Sequence, residues 1–182
     1  MTERAPDTGA ALDVARELVR AVEAKDLDAV ARTLAAAVRQ LFLHSRKTTT
    51  PEEVAEIVAG RGGRCCVADV AGRDEVPAYT RGLFAEFAPL RWRDHGWETT
   101  PDGAVFFRGK GDMVVARTGK PYRNAYVGRF EAADGRIVRM AEHGDVFRYA
   151  GLRVPPNGAE FRALLRAIGR PLHPARSATA GR

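Results

Sequence analysis

Cysteine is scarce in this sequence: only Cys65 and Cys66 occur among 182 residues, and they are adjacent. Neighbouring cysteines rarely bridge each other because the bond geometry would be strained, and this pair has none of the spacings of a zinc site. The four histidines are scattered and lack the i, i+4 spacing of a helical metal site. We therefore expect a reducing compartment, no disulfide framework and no bound metal.

Long apolar runs and a concentrated charge are also missing. No apolar stretch approaches the ~18 residues of a transmembrane helix, and the first ten residues, MTERAPDTGA, contain no apolar signal-peptide segment. Lys and Arg number 29 against 23 Asp and Glu. The basic residues are spread along the chain, whereas a nucleic-acid footprint would be clustered among aromatics. We expect a cytoplasmic protein that binds neither membranes nor nucleic acid.

The remaining composition is that of one globular domain. Hydrophobic residues make up 45% and charged residues 29%, which are ordinary values for a chain that can bury a full core. Residues 1–9 and 169–182 are rich in polar or small residues and in proline, so both segments are predicted to be disordered. The domain is predicted to span residues 10–168.

The periodicity of apolar residues predicts helices and strands in a definite order. Predicted helices cover 10–24, a second segment that starts at Asp28, and then 51–59, 72–87 and 159–168. Predicted strands cover 38–44, 64–70, 90–98, 104–117, 122–131 and 136–145. Helices early and antiparallel strands late indicate an α+β domain, with a bent sheet around the helices and a conical cavity between the layers.

The segment 119–145 is the most informative part of the chain. It reads as a long hairpin in which Asp134 and Gly135 supply a tight reversal. Tyr122, Asn124 and Tyr126 fall on one face of its first strand. Asn is a poor strand former, so its place on this strand is unusual. Aromatic side chains together with an amide are typical of a ligand cavity.

Two other strands carry positional signals. Gly109 and Gly111 inside the strand 104–117 predict a bulge or sharp bend. Trp92 and Trp97 have opposite parity on the strand 90–98, so at most one of them is expected to face the cavity.

These motifs, in this order, resemble the SnoaL-like branch of the nuclear-transport-factor-2-like (NTF2-like) superfamily over about residues 10–150. The resemblance rests on the segments 72–76, 119–122, 134–138 and 142–145. It implies a cone-shaped α+β barrel, with a strongly bent mixed or antiparallel sheet around three N-terminal helices and a C-terminal helix. It also implies a homodimer, and makes residues 45–68 an insertion. The superfamily includes polyketide cyclases, ketosteroid isomerases, epoxide hydrolases and binding proteins, so the fold does not fix the function.

The resemblance also implies roles for particular residues. Glu142 matches the general acid/base of the polyketide cyclases by its place on the last strand, with Asp145 as the second acid, and such chemistry needs no metal or cofactor. Tyr122 and Asn124 would donate hydrogen bonds to an enolate oxygen. His44 stands where the isomerases have an aspartate base. Further residues are predicted to contact the substrate: Asn124, Tyr126, Trp97, Phe84, Arg108 and Met140.

Two functions are therefore predicted as alternatives. The first is a cofactor-independent enzyme of specialised metabolism, such as antibiotic biosynthesis, that cyclises, isomerises or opens the epoxide of a small hydrophobic, polyketide-like substrate. The second is a non-catalytic domain that binds a small ligand or a partner protein. An acid, a tyrosine and an asparagine converging in a dry pocket would favour the enzyme, and an outward-pointing Glu142 would favour the binding domain.

Overall fold

The computed structural model describes residues 8–43, 66–145 and 148. The predicted helices 51–59 and 159–168, and most of the predicted insertion and tail, lie outside these ranges. The described elements are α1 (Thr8–Glu23), α2 (Leu27–Thr33), β1 (Leu34–Leu43), β2 (Cys66–Ala71), α3 (Gly72–Glu86), β3 (Trp92–Thr99), β4 (Val105–Gly111), β5 (Met113–Val114), β6 (Pro121–Tyr122), β7 (Ala125–Ala133) and β8 (Arg136–Gly144).

Six strands form one mixed, bent sheet with the order β2-β1-β8-β7-β4-β3. Within it β1 runs parallel to β8, and every other pairing is antiparallel. The three helices pack against this sheet, and their apolar faces form the main core with it. The predicted α+β architecture, a bent sheet around three N-terminal helices, is confirmed.

The α1 helix forms because its apolar residues recur at helical spacing and make one buried stripe. The buried residues of this stripe are Ala11, Val14, Ala15, Leu18, Val19 and Ala21. A tight corner follows, in which Asp26 caps α2 by accepting a hydrogen bond from the Ala29 backbone N–H at 2.8 Å. The polar residues Lys25 and Asp26 therefore lie at the break between the two helices, and α2 begins at Leu27, one residue before the predicted Asp28.

The same corner fastens the helix pair to α3. Lys25 adopts a left-handed conformation, with φ of 57°, and its ammonium donates hydrogen bonds to the carbonyl oxygens of Phe84 (2.7 Å) and Phe87. These carbonyls lie at the C-terminal end of α3, where a cation is favoured by the helix dipole and by unpaired acceptors. The Lys25 side chain thus ties the corner between α1 and α2 to the C-terminal end of α3.

The predicted hairpin is confirmed, together with its turn. Asp134 and Gly135 have φ of 51° and 69°, which is the left-handed pair that a two-residue type I′ turn requires. The pairing then places Phe130 opposite Met140 and Gly128 opposite Glu142. A register shift between Glu131 and Ala132 adds one residue to β8, and together with the turn it brings Glu142 opposite Gly128 in the middle of the sheet.

Two strands that the sequence predicts as continuous are in fact interrupted. The strand predicted for 104–117 ends at Gly111, and β5 pairs with β6 in a separate two-stranded sheet. The buried carboxylate of Asp112 holds this break, because it forms ion pairs with Arg93 and, at 2.7 Å, with Arg123. The strand predicted for 122–131 is split in the same region, with Asn124 in the gap between β6 and β7.

The expectation that at most one of Trp92 and Trp97 reaches the cavity is confirmed, since Trp92 alone of the two lines it, but their expected alternation across the sheet is wrong. Trp92 pairs with Gly111 and Trp97 pairs with Phe107, four residues apart on β4, so both indoles face the core. The register shifts between these two tryptophans, where Asp94 has φ of 55°. This bulge adds one residue to β3 and reverses the alternation of its side chains.

Gly109 and Gly111 of β4 leave space into which two aromatic rings pack. A methyl group at Gly109 would lie 2.6 Å from the ring of Phe107, and one at Gly111 would lie 2.9 Å from the ring of Tyr126. Both distances are shorter than van der Waals contact. The prediction of a bulge at these glycines is therefore corrected: they leave room for two aromatic rings, and the bulge lies on the neighbouring β3.

Candidate functional site

A cavity of about 90 Å³ lies between the helices and the concave face of the sheet. Its walls come from all three helices and from five consecutive strands of the sheet. The lining residues are mostly apolar: Leu18, Val19, Val22, Val30, Gln40, Val76, Thr80, Leu83, Trp92, Phe107, Tyr126, Gly128, Phe130, Met140, Ala141 and Glu142. An apolar cavity with a few polar groups is the usual form of a small-molecule site.

Glu142 carries the one carboxyl group among the residues that line the cavity. It is partly buried near the end of β8 and has the same parity as Met140, which also lines the cavity. Burial raises the pKa of Glu142 from its usual 4.5 to about 7, because a carboxylate loses its hydration in apolar surroundings. Among the described residues, no cation and no hydrogen-bond donor offsets this effect. The carboxyl group can therefore exchange a proton near neutral pH.

A chain of hydrogen bonds runs from the cavity wall to the end of β8. The hydroxyl groups of Tyr126 and Tyr122 are hydrogen-bonded to each other, and the Asn124 amide donates to the Tyr122 oxygen at 2.9 Å. The same amide donates to the Asp145 carbonyl and accepts from its N–H, each at 3.3 Å. Burial raises the pKa of both tyrosines, and the nearby charge of Glu142 raises it further. Both hydroxyls therefore stay protonated.

The predicted site residues divide into three groups by position. Glu142, Tyr126 and Met140 line the cavity. Tyr122 and Asn124 are buried behind its wall, where the Tyr122 ring stacks on Phe87 at 5.4 Å and the Asn124 amide is occupied by the contacts above. Trp97, Phe84, Arg108 and Asp145 are not part of the cavity lining. His44 lies outside the described residues.

The residues outside the lining have other contacts. Arg108 lies on the outer face of the sheet, where its side chain is 64% exposed and pairs with Glu98 at 2.9 Å. Asp145 lies beyond the end of β8, is exposed, and faces Arg148 at 3.6 Å. The predicted cavity contacts of Arg108 and Asp145 are corrected accordingly, because strand alternation directs one outward and the other follows the last strand.

The aromatic residues of that group belong to the core. Trp97 packs against Phe107, with ring centroids 4.8 Å apart, and beneath the guanidinium of Arg16. Phe84 packs between the two main clusters of buried side chains. The bulge in β3 explains why Trp92, and not the predicted Trp97, reaches the cavity.

Gln40 and Trp92 line the cavity although they were not among the predicted site residues. Gln40 stands between the inward-facing Val38 and Phe42, and it is the one polar residue on that face of β1. An amide at an inward position of such a strand is a signal that could have been read from the alternation. Trp92 could not have been chosen over Trp97 in this way, because the bulge is not visible in the sequence.

The described part of the chain shows no cluster of three His, Cys, Asp or Glu side chains that could hold a metal ion. Within the same residues, no helix is both long enough and apolar enough to cross a membrane.

The model of the SnoaL-like domain family matches residues 15–140, which is more than half of the chain. No curated protein matches the sequence. Solved structures with a similar fold include a candidate SnoaL-like polyketide cyclase from Jannaschia sp. CCS1 (TM-score 0.61, 18% identity, 82% of this chain and 95% of that chain). Another is a candidate isomerase from Bacillus subtilis, with a TM-score of 0.60 and 18% identity over 77% of this chain and 89% of that chain. A third is an LEH-like epoxide hydrolase from M. tuberculosis, with a TM-score of 0.52 and 15% identity over 92% of this chain and 98% of that chain. At these identities the likeness shows the fold alone.

The raised pKa of Glu142 makes the stability of the fold depend on pH. The folded state holds its proton more tightly than the unfolded chain, so the free energy of unfolding should fall as pH rises from 4.5 to about 7. The loss attributable to this group is at most about 3 kcal/mol.

Urea unfolding of the wild type and Glu142→Gln at each pH would measure this loss. The variant should lack this part of the slope, whereas Glu17→Gln, on the exposed face of α1, should keep it. Equal slopes in the wild type and Glu142→Gln would contradict the assignment.

Proposed function

This chain belongs to the SnoaL-like domain family, and we propose that it is a cofactor-independent enzyme that moves a proton on a small hydrophobic carbonyl compound. Glu142 is the general acid/base in this proposal. The observation that supports it is a single carboxyl group on the wall of a mostly apolar cavity. Cyclisation and isomerisation of polyketide-like compounds both begin with such a proton transfer.

The chemistry follows from the position of the carboxyl group. Its carboxylate form takes a proton from the carbon next to a carbonyl group, and the C–H electrons shift to give an enolate. The enolate then either recovers the proton at another carbon, which is isomerisation, or forms a carbon–carbon bond to a second carbonyl of the same molecule, which is cyclisation. In cyclisation the second carbonyl oxygen becomes an alkoxide, and the protonated Glu142 returns its proton to that oxygen. A pKa near 7 suits both directions of transfer.

Epoxide opening has less support than proton transfer at carbon. It requires charged groups that position and activate a water molecule, and of the predicted site residues Arg108 and Asp145 could serve beside Glu142. These two side chains lie outside the cavity lining. Proton transfer at carbon requires only Glu142 and a donor for the developing oxyanion.

The alternative is a non-catalytic domain that binds a small ligand in the same cavity. It is favoured by the positions of Tyr122 and Asn124, which the sequence analysis expected in the pocket. Their polar groups contact each other, Tyr126 and the backbone of Asp145. Of the expected convergent acid, tyrosine and asparagine, the cavity lining contains Glu142 and Tyr126.

Replacement of Glu142 by glutamine separates these functions. The expected result is a loss of about 10²- to 10⁴-fold in kcat/KM with ligand binding retained, because the amide keeps the shape but cannot accept the proton. The assay is deuterium exchange next to the carbonyl of small ketones and polyketide-type diketones in D₂O. Wild-type kcat/KM should rise with pH, with a midpoint near 7, since the base must be deprotonated. Asp145→Asn is the matched control and should change the rate little. An unchanged rate in Glu142→Gln would remove this residue from the chemistry.

A homodimer through the outer face of the sheet is part of the proposal. Val127 is 39% exposed on this face, the one exposed large hydrophobic side chain among the described residues. It lies on β7, beside Arg108 of β4 and His143 of β8. Sedimentation of the wild type should show a dimer, and Val127→Asp should shift it toward the monomer because a carboxylate would be buried there. A wild type that sediments as a monomer at all concentrations would contradict this assembly.

A further inference from the structure

The Glu142 carboxyl group is unpaired, and it remains accessible. Among the described residues, only Gln40 Oε1 and Trp92 Nε1 are polar side-chain atoms that are fully buried and also unpaired. The carboxyl oxygens of Glu142 face no hydrogen-bond donor or cation and yet do not belong to that group, so they retain accessible surface. Because Glu142 lines the cavity, a molecule in the cavity can contact this carboxyl group directly.

The ionised form of this carboxyl group lacks a counter-charge. A buried charge is normally paired, because its lost hydration is otherwise not compensated. Among the lining residues that the structure describes, Glu142 is the one acid, and Lys, Arg and His are absent. The neighbouring hydroxyl groups of Tyr122 and Tyr126 stay protonated, since burial raises the pKa of both. The carboxylate can therefore gain a counter-charge from a cation that enters from solution.

The character of the lining selects the kind of cation. The wall is mostly aliphatic and aromatic, and its aromatic residues are Trp92, Phe107, Tyr126 and Phe130. An inorganic cation would need a shell of oxygen ligands to replace its hydration, which this wall does not supply. Aromatic rings, in contrast, tolerate organic ammonium ions well, because their π faces carry partial negative charge. The cavity is therefore suited to a cation with apolar substituents.

The acceptors in the lining limit the number of N–H groups on that cation. The Thr80 hydroxyl donates to a backbone carbonyl of its own helix at 2.9 Å, the Tyr126 hydroxyl is bonded to Tyr122, and Gln40 Oε1 is fully buried. The Glu142 carboxylate has two oxygens that accept hydrogen bonds. A cation with two N–H groups would thus have both of them paired.

The volume of the cavity limits the size of the ligand. The cavity measures about 90 Å³, and one water molecule takes up ~30 Å³ in the liquid. A molecule of about three non-hydrogen atoms therefore fits without movement of the walls. Part of this space exists because Gly128, the partner of Glu142 in the β7–β8 pairing, has no side chain.

From these constraints we propose that the cavity binds a small dialkylammonium ion. Its two N–H groups donate to the Glu142 carboxylate, and its alkyl groups contact the apolar wall. This inference goes beyond the proposed function, because it requires binding and no proton transfer at carbon. The ion occupies the place of the carbonyl compound, so it should inhibit the proposed reaction competitively.

Three probes test this recognition on the unmodified protein. Dimethylammonium and ethanol have the same number of non-hydrogen atoms but differ in charge, and the ammonium ion carries the charge without alkyl groups. Binding is followed by the ¹³C NMR signal of the Glu142 carboxyl carbon, with ionic strength held constant by sodium chloride. Dimethylammonium should bind at least about tenfold more tightly than ethanol or ammonium.

The affinity for dimethylammonium should also depend on pH. Between about one unit below and about one unit above the midpoint near 7, it should rise about tenfold, because the cation binds the carboxylate form and that fraction grows. Dimethylammonium itself stays protonated over this range. The affinity for ethanol should stay constant.

Three substitutions locate the site. Glu142→Gln should lower the affinity for dimethylammonium to that for ethanol and abolish its pH dependence, while ethanol binding is retained. Asp145→Asn removes an exposed carboxylate near the end of the same strand and should change neither affinity. Gly128→Ala should weaken both probes, because the added methyl group takes up cavity space. It should still fold, since this methyl group would lie 3.4 Å from the Phe130 ring, an ordinary contact.

The outcomes separate this inference from the proposed function. A preference for dimethylammonium that needs Glu142, with no deuterium exchange into any ketone, would support the inference and contradict the enzyme. Glu142-dependent exchange together with equal binding of dimethylammonium and ethanol would support the enzyme and overturn the inference. A preference that persists in Glu142→Gln or is unaffected by Gly128→Ala would place the cation elsewhere and overturn it as well.

Discussion

The burial of the Glu142 carboxyl group in an apolar cavity is the constraint on which the rest of this structure depends. A carboxylate in such surroundings loses its hydration, and its pKa rises to about 7. The sheet imposes this position, because the Asp134–Gly135 turn and the register shift between Glu131 and Ala132 together set the pairing of β8 with β7, and the parallel partner β1 closes its other side. The fold thus accepts a destabilising group at one point, which is typical of functional sites.

Of the polar side chains near Glu142, one lines the cavity and the others are buried behind its wall. Tyr126 lines the cavity, and its hydroxyl begins a chain through Tyr122 and Asn124 to the backbone of Asp145. This chain fastens the gap between β6 and β7 to the end of β8, so its role is to hold the wall that carries Glu142. Gly111 permits the arrangement, because a side chain there would collide with the Tyr126 ring. The Glu142 carboxyl group has no such partner among the described residues, and it is the group left to act on a ligand.

The sequence predicted much of the fold because local signals and burial agreed. The α1 stripe, the corner at Lys25 and Asp26, and the I′ turn each follow from short-range physics. The inward face of β7 was also predicted correctly, and with it the place of Tyr126 in the cavity. What failed depended on long-range contacts. The bulge at Asp94 brings Trp92 to the cavity in place of Trp97, and the strand predicted for 104–117 is interrupted at Asp112, whose carboxylate pairs with arginines distant in sequence.

The measurement that tests the central claim most directly is a titration of the Glu142 carboxyl carbon by ¹³C NMR, with the signal assigned by its absence in Glu142→Gln. The account predicts a midpoint near pH 7, well above the usual 4.5. A midpoint near 4.5 would show a solvated carboxylate. It would contradict both the burial of this group and the proton transfer assigned to it.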